Sequence, residues 1–161
     1  MISDPEPNAP YRPMPADLVE RVLQVALVKP GDLVYDLGCG DGRIVIAAAK
    51  NYGARGIGFE IDPDLVRQAR ANARSAGVEG RVAIQHADIF TLDLSSADVV
   101  TLYLLSIANE RLVPQLQRMH VGSRIISVEF AIKDFPPEET VVMDYSDRRK
   151  RDIYRWTGPL K

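Results

Sequence analysis

Three glycines and two acidic residues are spaced so that together they could hold a cofactor that contains a ribose. Gly38, Gly40 and Gly42 follow a short apolar run and come just before a helix-favouring segment. Glycine lets the backbone approach a ligand closely, and Asp36 adds a carboxylate beside the same turn. Glu60 lies 20 residues beyond Gly40, a spacing typical of an acid that accepts hydrogen bonds from ribose hydroxyl groups. The sequence therefore predicts a nucleotide-type cofactor site.

The spacing of the glycines distinguishes between two classes of cofactor. A dinucleotide-binding turn, G-x-G-x-x-G, would need a glycine at position 43, where this chain has Arg43. The observed pattern, D-x-G-x-G-x-G over residues 36–42, resembles that of S-adenosylmethionine (SAM) enzymes. Asp88 would accept a hydrogen bond from the exocyclic amine of adenine, and Ile89 would lie against the ring. SAM is the predicted cofactor.

Length and composition predict a single domain without a membrane span. The chain has 161 residues, of which 46% are apolar and 26% are charged, as is typical of a globular domain with one core. No apolar run approaches the roughly 18 to 20 residues that a membrane span needs, and residues 1–15 lack the features of a signal peptide. We therefore expect a cytoplasmic protein.

Cysteine, histidine and charge content argue against several other kinds of site. Cys39 is the only cysteine, so an intrachain disulfide is impossible, and we expect a small buried residue rather than a nucleophile. His86 and His120 have no metal-ligand spacing with Cys39, and no metal is predicted. The net charge of −2 argues against a nucleic-acid partner. The basic run at 148–151 is interpreted as an exposed hairpin turn, and the alternative is a patch that binds RNA or an acidic partner.

The candidate site residues fall at the ends of predicted strands. Alternating strands and helices predict an open parallel sheet, whose ligands bind beyond the carboxyl ends of the strands. Asp36, Glu60, Asp88 and Tyr103 end or follow the first four strands, so we expect them to share one edge of the sheet. The predicted strands are 32–37, 55–60, 81–85, 97–104 and 123–130. The predicted helices are 16–28, which would cover the sheet edge, 44–50 and 64–76. A helical turn is predicted at 107–111, and a further helix is predicted to begin near Val113.

Little helix is predicted after the fifth strand. Residues 131–138 include Pro136 and Pro137, which disfavour a crossover helix, so we expect a loop to make this connection. Residues 140–145 and 152–157 are predicted to pair as a closing hairpin. The predicted fold class is α/β, with a Rossmann-like, mostly parallel sheet, a C-terminal antiparallel hairpin and reduced helix content after strand five.

Over residues 33–130 the chain resembles the class I SAM-dependent methyltransferases. More narrowly, it is similar to the small archaeal and bacterial protein-lysine methyltransferases. These are relatives of the mitochondrial enzymes that modify lysines of the ATP synthase c-subunit and the adenine nucleotide translocase. The segments that carry this resemblance are 9–15, 35–50, 99–105 with Asn109, and 127–130. The resemblance implies a class I methyltransferase sheet, SAM as cofactor, and a protein substrate with exposed lysines.

The resemblance also implies a role for the N-terminal segment. Residues 1–15 contain five prolines, which favour an extended arm, and residues 16–161 are expected to form one methyltransferase domain. In the family this arm lies over the cofactor and helps to form the entrance for the target lysine, which implies that Tyr11 contacts both. Arg12 and Val128 depart from residues that are common at these positions in the family, which bears on the choice of substrate.

A lysine acceptor must lose a proton before it can attack a methyl group. Its pKa is about 10.4 in water, so an apolar channel helps by lowering that pKa. Tyr103, with Tyr11 and Phe130 near it in this topology, could form aromatic walls around the amine. Glu129 could accept a hydrogen bond from the amine. The alternatives are ordinary core packing for Tyr103 and Phe130 and an ion pair for Glu129.

Two other functions fit the same cofactor site. One is a methyltransferase that acts on nitrogen or oxygen of a small molecule, although the chain has no obvious lid to enclose such an acceptor. The other is a module that binds SAM without catalysis. No Asn-Pro-Pro-Tyr type motif follows the fourth strand, which argues against methylation of flipped bases.

Overall fold

Seven strands and five helices make up residues 13–161, the part of the chain that the computed structural model describes. Residues 1–12, and with them Tyr11 and most of the predicted arm, lie outside the described residues. In chain order the elements are α1 (Ala16–Val25), β1 (Leu33–Leu37), α2 (Arg43–Tyr52), β2 (Arg55–Glu60), α3 (Pro63–Ser75), β3 (Val82–His86), β4 (Val99–Leu102), α4 (Ser106–Arg111), α5 (Val113–Leu116), β5 (Arg124–Val128), β6 (Glu139–Asp144) and β7 (Lys150–Thr157). None of these helices is long and apolar enough to cross a membrane.

The strands form one mixed sheet in the order β3-β2-β1-β4-β5-β7-β6. Strands β1 to β5 are parallel, while β7 runs antiparallel to both β5 and β6. The predicted C-terminal hairpin is therefore confirmed, and β6 runs in the same direction as β5. Residues 129–138 make this crossover without a helix, as Pro136 and Pro137 predict.

The three longer helices pack on one face of the sheet, and short helices and loops cover the other. On the first face, α1 and α2 bury apolar side chains against β1, β4, β5 and β7, and α2 and α3 extend the layer over β2 and β3. On the second face, the apolar cluster includes Leu112 between the two short helices, Leu116 from α5 and Ile132 from the crossover loop. Both faces of the central strands are buried, which explains why β4 is apolar except for Thr101.

Helix α1 differs from its prediction in length and in place. The sequence predicts a helix over 16–28 that covers the sheet edge, but α1 ends at Val25 and packs on a face of β5 and β7. Leu27 has a left-handed conformation with φ of 58°, and Pro30 follows, so the helix cannot continue. The α1 side chains Leu18 and Leu23 are fully buried. The helix therefore presents a broad apolar side, which a sheet face can cover and a sheet edge cannot.

Helix α2 lies directly on β2 because β2 contains two glycines. A Cβ atom added at Gly56 would lie 2.8 Å from Val45 Cβ, and one added at Gly58 would lie 2.6 Å from Cys39 Sγ. Cys39 is itself buried, and this burial raises the pKa of its thiol. The prediction that Cys39 is a small buried residue is confirmed. These contacts place the turn between β1 and α2 against the end of β2.

Candidate functional site

The turn between β1 and α2 contains three glycines with left-handed backbone conformations, Gly38, Gly40 and Gly42. The Gly38 amide donates to the carbonyl oxygen of Phe59 at 2.8 Å, which ties the turn to β2. A Cβ atom at Gly38 would lie 3.2 Å from Leu104 Cδ2. Glycine is therefore needed here both for the backbone angles and because the chain after β4 passes close to the turn. The turn therefore follows β1 and lies against the end of β2 and the residues that follow β4.

Glu60 is buried at the end of β2 and faces the glycine turn. Its Oε1 accepts a hydrogen bond from the Gly40 amide at 2.8 Å. Its Oε2 accepts from the amides of Ile61 and Asp62 at 3.1 Å each. A carboxylate offers about four acceptor positions, so three amides hold Glu60 in place and capacity is left for a ribose hydroxyl group. The predicted ribose role fits this geometry.

Asp36 lies at the end of β1, 4% exposed, and accepts a hydrogen bond from Thr101 Oγ1 at 2.8 Å. Burial, opposed by the Thr101 hydrogen bond and reinforced by the carboxylates of Glu60 and Asp41, raises the pKa of Asp36 to about 7. A cationic ligand beside these acids would favour the charged form of Asp36. The acids therefore fit SAM, whose sulfonium and ammonium groups are positively charged.

Asp88 follows β3 and caps a short 3₁₀ turn, Ile89–Thr91. Its Oδ1 accepts a hydrogen bond from the Phe90 amide at 3.0 Å, and the residue is exposed. Gln115 Nε2 donates to the Ile89 carbonyl oxygen at 3.0 Å, so the turn is tied to α5. The structure gives Asp88 a capping role at the predicted edge of the sheet, and its adenine contact stays a prediction.

Tyr103 and Glu129, which follow β4 and β5, are brought together by Arg151. Arg151 Nε donates to Tyr103 Oη at 3.0 Å and lies 3.7 Å from Glu129 Oε1. Arg149 also pairs with Glu129, at 3.4 Å. Glu129 thus makes the ion pairs that the sequence leaves open as an alternative, and Tyr103 packs partly against the core beneath α1. Both side chains still lie at the carboxyl edge of the sheet.

The basic run at 148–151 is only in part the exposed turn that the sequence predicts. Arg148 and Lys150 are exposed, but Arg151 is 2% exposed. The two Nη atoms of Arg151 donate to the two carboxylate oxygens of Asp147, at 2.9 and 2.6 Å. Strand β7 begins at Lys150, and side chains alternate along a strand, so Arg151 points into the protein. The prediction of an exposed Arg151 is wrong for this reason.

A buried amide fixes the turn after β5. Asn109 Nδ2 donates to Ser127 Oγ at 3.1 Å and to the Phe130 carbonyl oxygen at 3.2 Å. Ser127 Oγ donates to the same carbonyl oxygen. Within this turn Glu129 has φ of 81°, a left-handed conformation that is uncommon outside glycine. Such strain persists only where surrounding contacts impose it, so the fold sets the position of the Glu129 carboxylate.

Thr101 and Arg151 are site residues that the sequence analysis does not identify. Thr101 gives a weak signal, because it is the polar residue in the otherwise apolar strand β4. Arg151 is obscured by the charged residues around it. The alternation of Arg151, Ile153 and Arg155 along β7 is the pattern that could have indicated an inward-facing arginine.

The chain is similar to known methyltransferases. Residues 36–139 match the ANTKMT methyltransferase domain. The protein-lysine N-methyltransferase of Saccharolobus islandicus (strain REY15A) is 43% identical over 86% of this chain and 87% of that relative. The adenine nucleotide translocase lysine N-methyltransferase of Mus musculus is 35% identical over 88% of this chain, but this match spans 61% of the mouse protein.

A solved structure shares both the fold and much of the sequence. The RNA methyltransferase from Salinibacter ruber, in complex with S-adenosyl-L-homocysteine, superposes with a TM-score of 0.84 and is 46% identical over 91% of this chain and 93% of that chain. The predicted class I methyltransferase fold is confirmed. Similar proteins on this one fold therefore include methyltransferases described with protein lysine and with RNA as acceptors.

Proposed function

The chain belongs to the ANTKMT methyltransferase domain family, and from this membership we propose that it transfers methyl groups from SAM to lysine side chains of proteins. The prediction of a SAM-dependent methyltransferase is confirmed at the level of the family. The observation that carries the lysine acceptor is the 43% identity to the Saccharolobus islandicus protein-lysine N-methyltransferase, which extends over most of both chains.

The residues around the glycine turn would hold the cofactor. Glu60 would accept a hydrogen bond from a ribose hydroxyl group, Asp36 would face the cationic part of the molecule, and Asp88 with Ile89 would contact the adenine. When bound, SAM supplies a methyl group that the sulfonium already makes electrophilic. The main task of the chain is then to orient an acceptor in line with that methyl group and to exclude water. Tyr11 is predicted to contact both the cofactor and the target lysine.

Tyr103 and Glu129 would receive the lysine side chain. A site that is largely shielded from water disfavours the ammonium form of the lysine and lowers its pKa. Glu129 would accept a hydrogen bond from the amine and orient it, while Tyr103 and Phe130 would flank the methylene groups. Because Glu129 is paired with two arginines, it can orient the amine without strongly stabilising its charged form.

RNA is the second candidate acceptor, because the 46% identical structure is that of an RNA methyltransferase. Exposed Arg148 and Lys150 lie on the hairpin turn whose Arg151 contacts Tyr103, and they could contact phosphate groups. The net charge of −2, however, provides no broad basic field, and phosphate contacts dominate nucleic-acid affinity. Lysine is therefore the acceptor that we place first.

Transfer of labelled methyl groups to a fractionated cell extract tests the proposal. The protein is incubated with methyl-labelled SAM and extract, and the label is counted in protein, RNA and small-molecule fractions. We expect label that is stable to base and sensitive to protease. Glu60→Ala should abolish it, whereas Glu79→Ala, which removes an exposed acid remote from the glycine turn, should not.

Each other outcome assigns a different function. Label that is sensitive to nuclease would support RNA as the acceptor, and label only in small molecules would support a small-molecule methyltransferase. SAM binding without transfer to any fraction would support a non-catalytic module. Each of these results would contradict the lysine proposal.

A further inference from the structure

The candidate acceptor site depends on a buried arginine from the last strand of the sheet. We propose that Arg151 is a positioning residue of this site, which holds the Tyr103 hydroxyl group and the Glu129 carboxylate in the arrangement that receives a lysine. The inference deepens the proposed function and rests on it. Arg151 itself would touch neither SAM nor the amine.

Arg151 is held in one position by an ion pair at the hairpin turn. Its two Nη atoms donate to the two carboxylate oxygens of Asp147 at 2.9 and 2.6 Å, and its side chain is almost fully buried. Bidentate pairs of this kind are stronger and more directional than single contacts. The hydrogen bonds from Arg151 lower the pKa of Asp147 to about 2, so the pair stays charged at neutral pH.

The third nitrogen of the guanidinium, Nε, faces the candidate acceptor site. It donates to Tyr103 Oη at 3.0 Å and lies 3.7 Å from Glu129 Oε1. A fixed donor limits rotation of the Tyr103 ring and directs the hydroxyl hydrogen away from Arg151, because guanidinium nitrogens cannot accept it. One side chain thus sets the position of two groups that follow different strands.

Packing alone does not explain an arginine at position 151. Burial of a charged side chain costs free energy. Proteins in which buried ion pairs are replaced by apolar residues of similar volume are often as stable as the original protein, or more stable. Arg155 provides a comparison on the same face of the same strand. It donates to the Val25 carbonyl oxygen at 3.1 Å and pairs with Glu138 and Glu139, so it joins α1, β6 and β7 without contacting Tyr103 or Glu129.

Arg151→Met, Arg151→Lys and the matched control Arg155→Met test this role. The rate of lysine methylation is measured against the concentration of nuclease-treated extract protein, SAM affinity is measured by calorimetry, and the free energy of unfolding is measured in urea. We expect Arg151→Met to lower kcat on the order of 10- to 100-fold, as small misplacements of reacting groups do, with SAM affinity changed less than about twofold. Arg151→Lys should restore part of kcat.

Arg155→Met separates positioning from stability. We expect it to lower the free energy of unfolding while kcat stays within about twofold of the wild-type value, because its contacts are remote from the acceptor groups. An equal loss of kcat in Arg155→Met and Arg151→Met would show that the loss follows stability, and it would overturn the proposal.

A double substitution tests whether Arg151 acts through Tyr103. Tyr103→Phe keeps the ring and removes the hydroxyl group that Arg151 holds. Arg151→Lys should lower kcat less in the Tyr103→Phe background than in the wild type, because the hydrogen bond between Arg151 and Tyr103 is already absent and only the pairing with Glu129 is left to disturb. If the two losses simply multiply, Arg151 does not act through Tyr103 and the proposal is overturned.

Failure of this inference is distinguishable from failure of the proposed function. A wild-type protein that methylates no lysine would contradict the proposed function before any variant is compared. An active wild type with unchanged kcat in Arg151→Met would overturn the inference alone. If Arg151→Met does not fold, Asp147→Asn replaces it, because that change loosens Arg151 without leaving a gap in the core, and an unchanged kcat is again the contrary result.

Discussion

Asp36 and Glu60 are two buried carboxylates at one glycine turn, and their surroundings differ. Three backbone amides donate hydrogen bonds to Glu60. Asp36 accepts a hydrogen bond from the Thr101 hydroxyl group, and burial raises its pKa to about 7. We therefore expect the cofactor-free protein to be destabilised by the charge of Asp36 and a cationic ligand to relieve this effect.

Asp36→Asn should stabilise the cofactor-free protein and weaken SAM binding. The folded protein keeps a proton on Asp36 that the unfolded chain, with a pKa of 3.8, has already lost. Stability of the wild type should therefore fall as pH rises from about 4 to about 7, and Asp36→Asn should remove this loss, on the order of 4 kcal/mol between pH 4 and pH 8. Urea unfolding across this pH range measures it. Asp144→Asn, at an exposed acid, is the control, and equal pH dependence of both variants would contradict the prediction.

Glu60→Gln should weaken SAM binding and, because its NH2 group cannot accept the hydrogen bond of the backbone amide that it faces, should also lower the free energy of unfolding by about 1–3 kcal/mol. The neutral amide keeps the size of the side chain but loses acceptor capacity, and hydrogen bonds to charged groups are worth about 1.5–3 kcal/mol, so affinity should fall by about 10- to 100-fold. Calorimetry with SAM measures the change, with Glu79→Gln as the exposed control. Unchanged affinity in Glu60→Gln would show that the ribose assignment is wrong.

Among individual residues, those with local signals are predictable from the sequence. Asp36, the three glycines and Glu60 belong to one strand-turn-helix unit and the strand after it, and their spacing alone predicts a shared turn. Thr101 lies 65 residues from its partner Asp36, and Arg151 lies 48 residues from Tyr103. No local pattern predicts contacts over such separations, because they arise from the order in which the strands pair.

At the scale of elements, the position of the glycine turn depends on how closely α2 packs on β2. Gly56 and Gly58 leave no side chains between these two elements. The buried side chains of α2, which include Val45 and Ala49, occupy that space. The turn at the start of α2 is thereby fixed relative to Glu60 at the end of β2.

Gly56→Ala should destabilise the protein by moving α2 away from β2. The added Cβ atom would lie 2.8 Å from Val45 Cβ, and overpacking of this kind costs about 1–3 kcal/mol. Gly80→Ala, where an added Cβ meets nothing within 4 Å, is the matched control and should change stability by less than about 0.5 kcal/mol. Urea unfolding compares the two. Equal stability of the two variants would contradict the proposed close packing.

Most elements are predictable from local sequence, whereas their packing is not. The predicted bounds of the strands lie within two residues of those observed, and the crossover loop and hairpin are confirmed. The length of α1 and the face that it covers are not predicted, because its apolar pattern indicates only that one side is buried. Which strands lie beneath that side depends on the sheet order, in which β7 inserts between β5 and β6.

For the whole molecule, the sheet order brings the candidate groups to one edge. The glycine turn follows β1, Glu60 ends β2, Asp88 follows β3, and Tyr103 follows β4. β7 runs in the opposite direction, so its first residues, including Arg151, lie at this same edge. The antiparallel hairpin therefore contributes to the candidate acceptor site as well as closing the sheet.

SAM should stabilise the whole protein, and NAD should not. A ligand that binds only the folded state at about 100 times its Kd adds about 2.7 kcal/mol, which raises the Tm of a chain of this length by about 5–10 °C. Thermal unfolding with SAM, with NAD and without ligand measures this. A shift with NAD and none with SAM would contradict the cofactor assignment.

Identification of the atom that receives the methyl group tests the central claim most directly. The protein is incubated with SAM that carries a deuterated methyl group and with whole extract, and labelled molecules are sequenced by mass spectrometry. We expect the deuterated methyl group on the Nζ atom of lysine in proteins, and its absence when Glu60→Ala replaces the wild type. Deuterated methyl groups found instead on nucleotides, carboxylates or small molecules would contradict a protein-lysine methyltransferase.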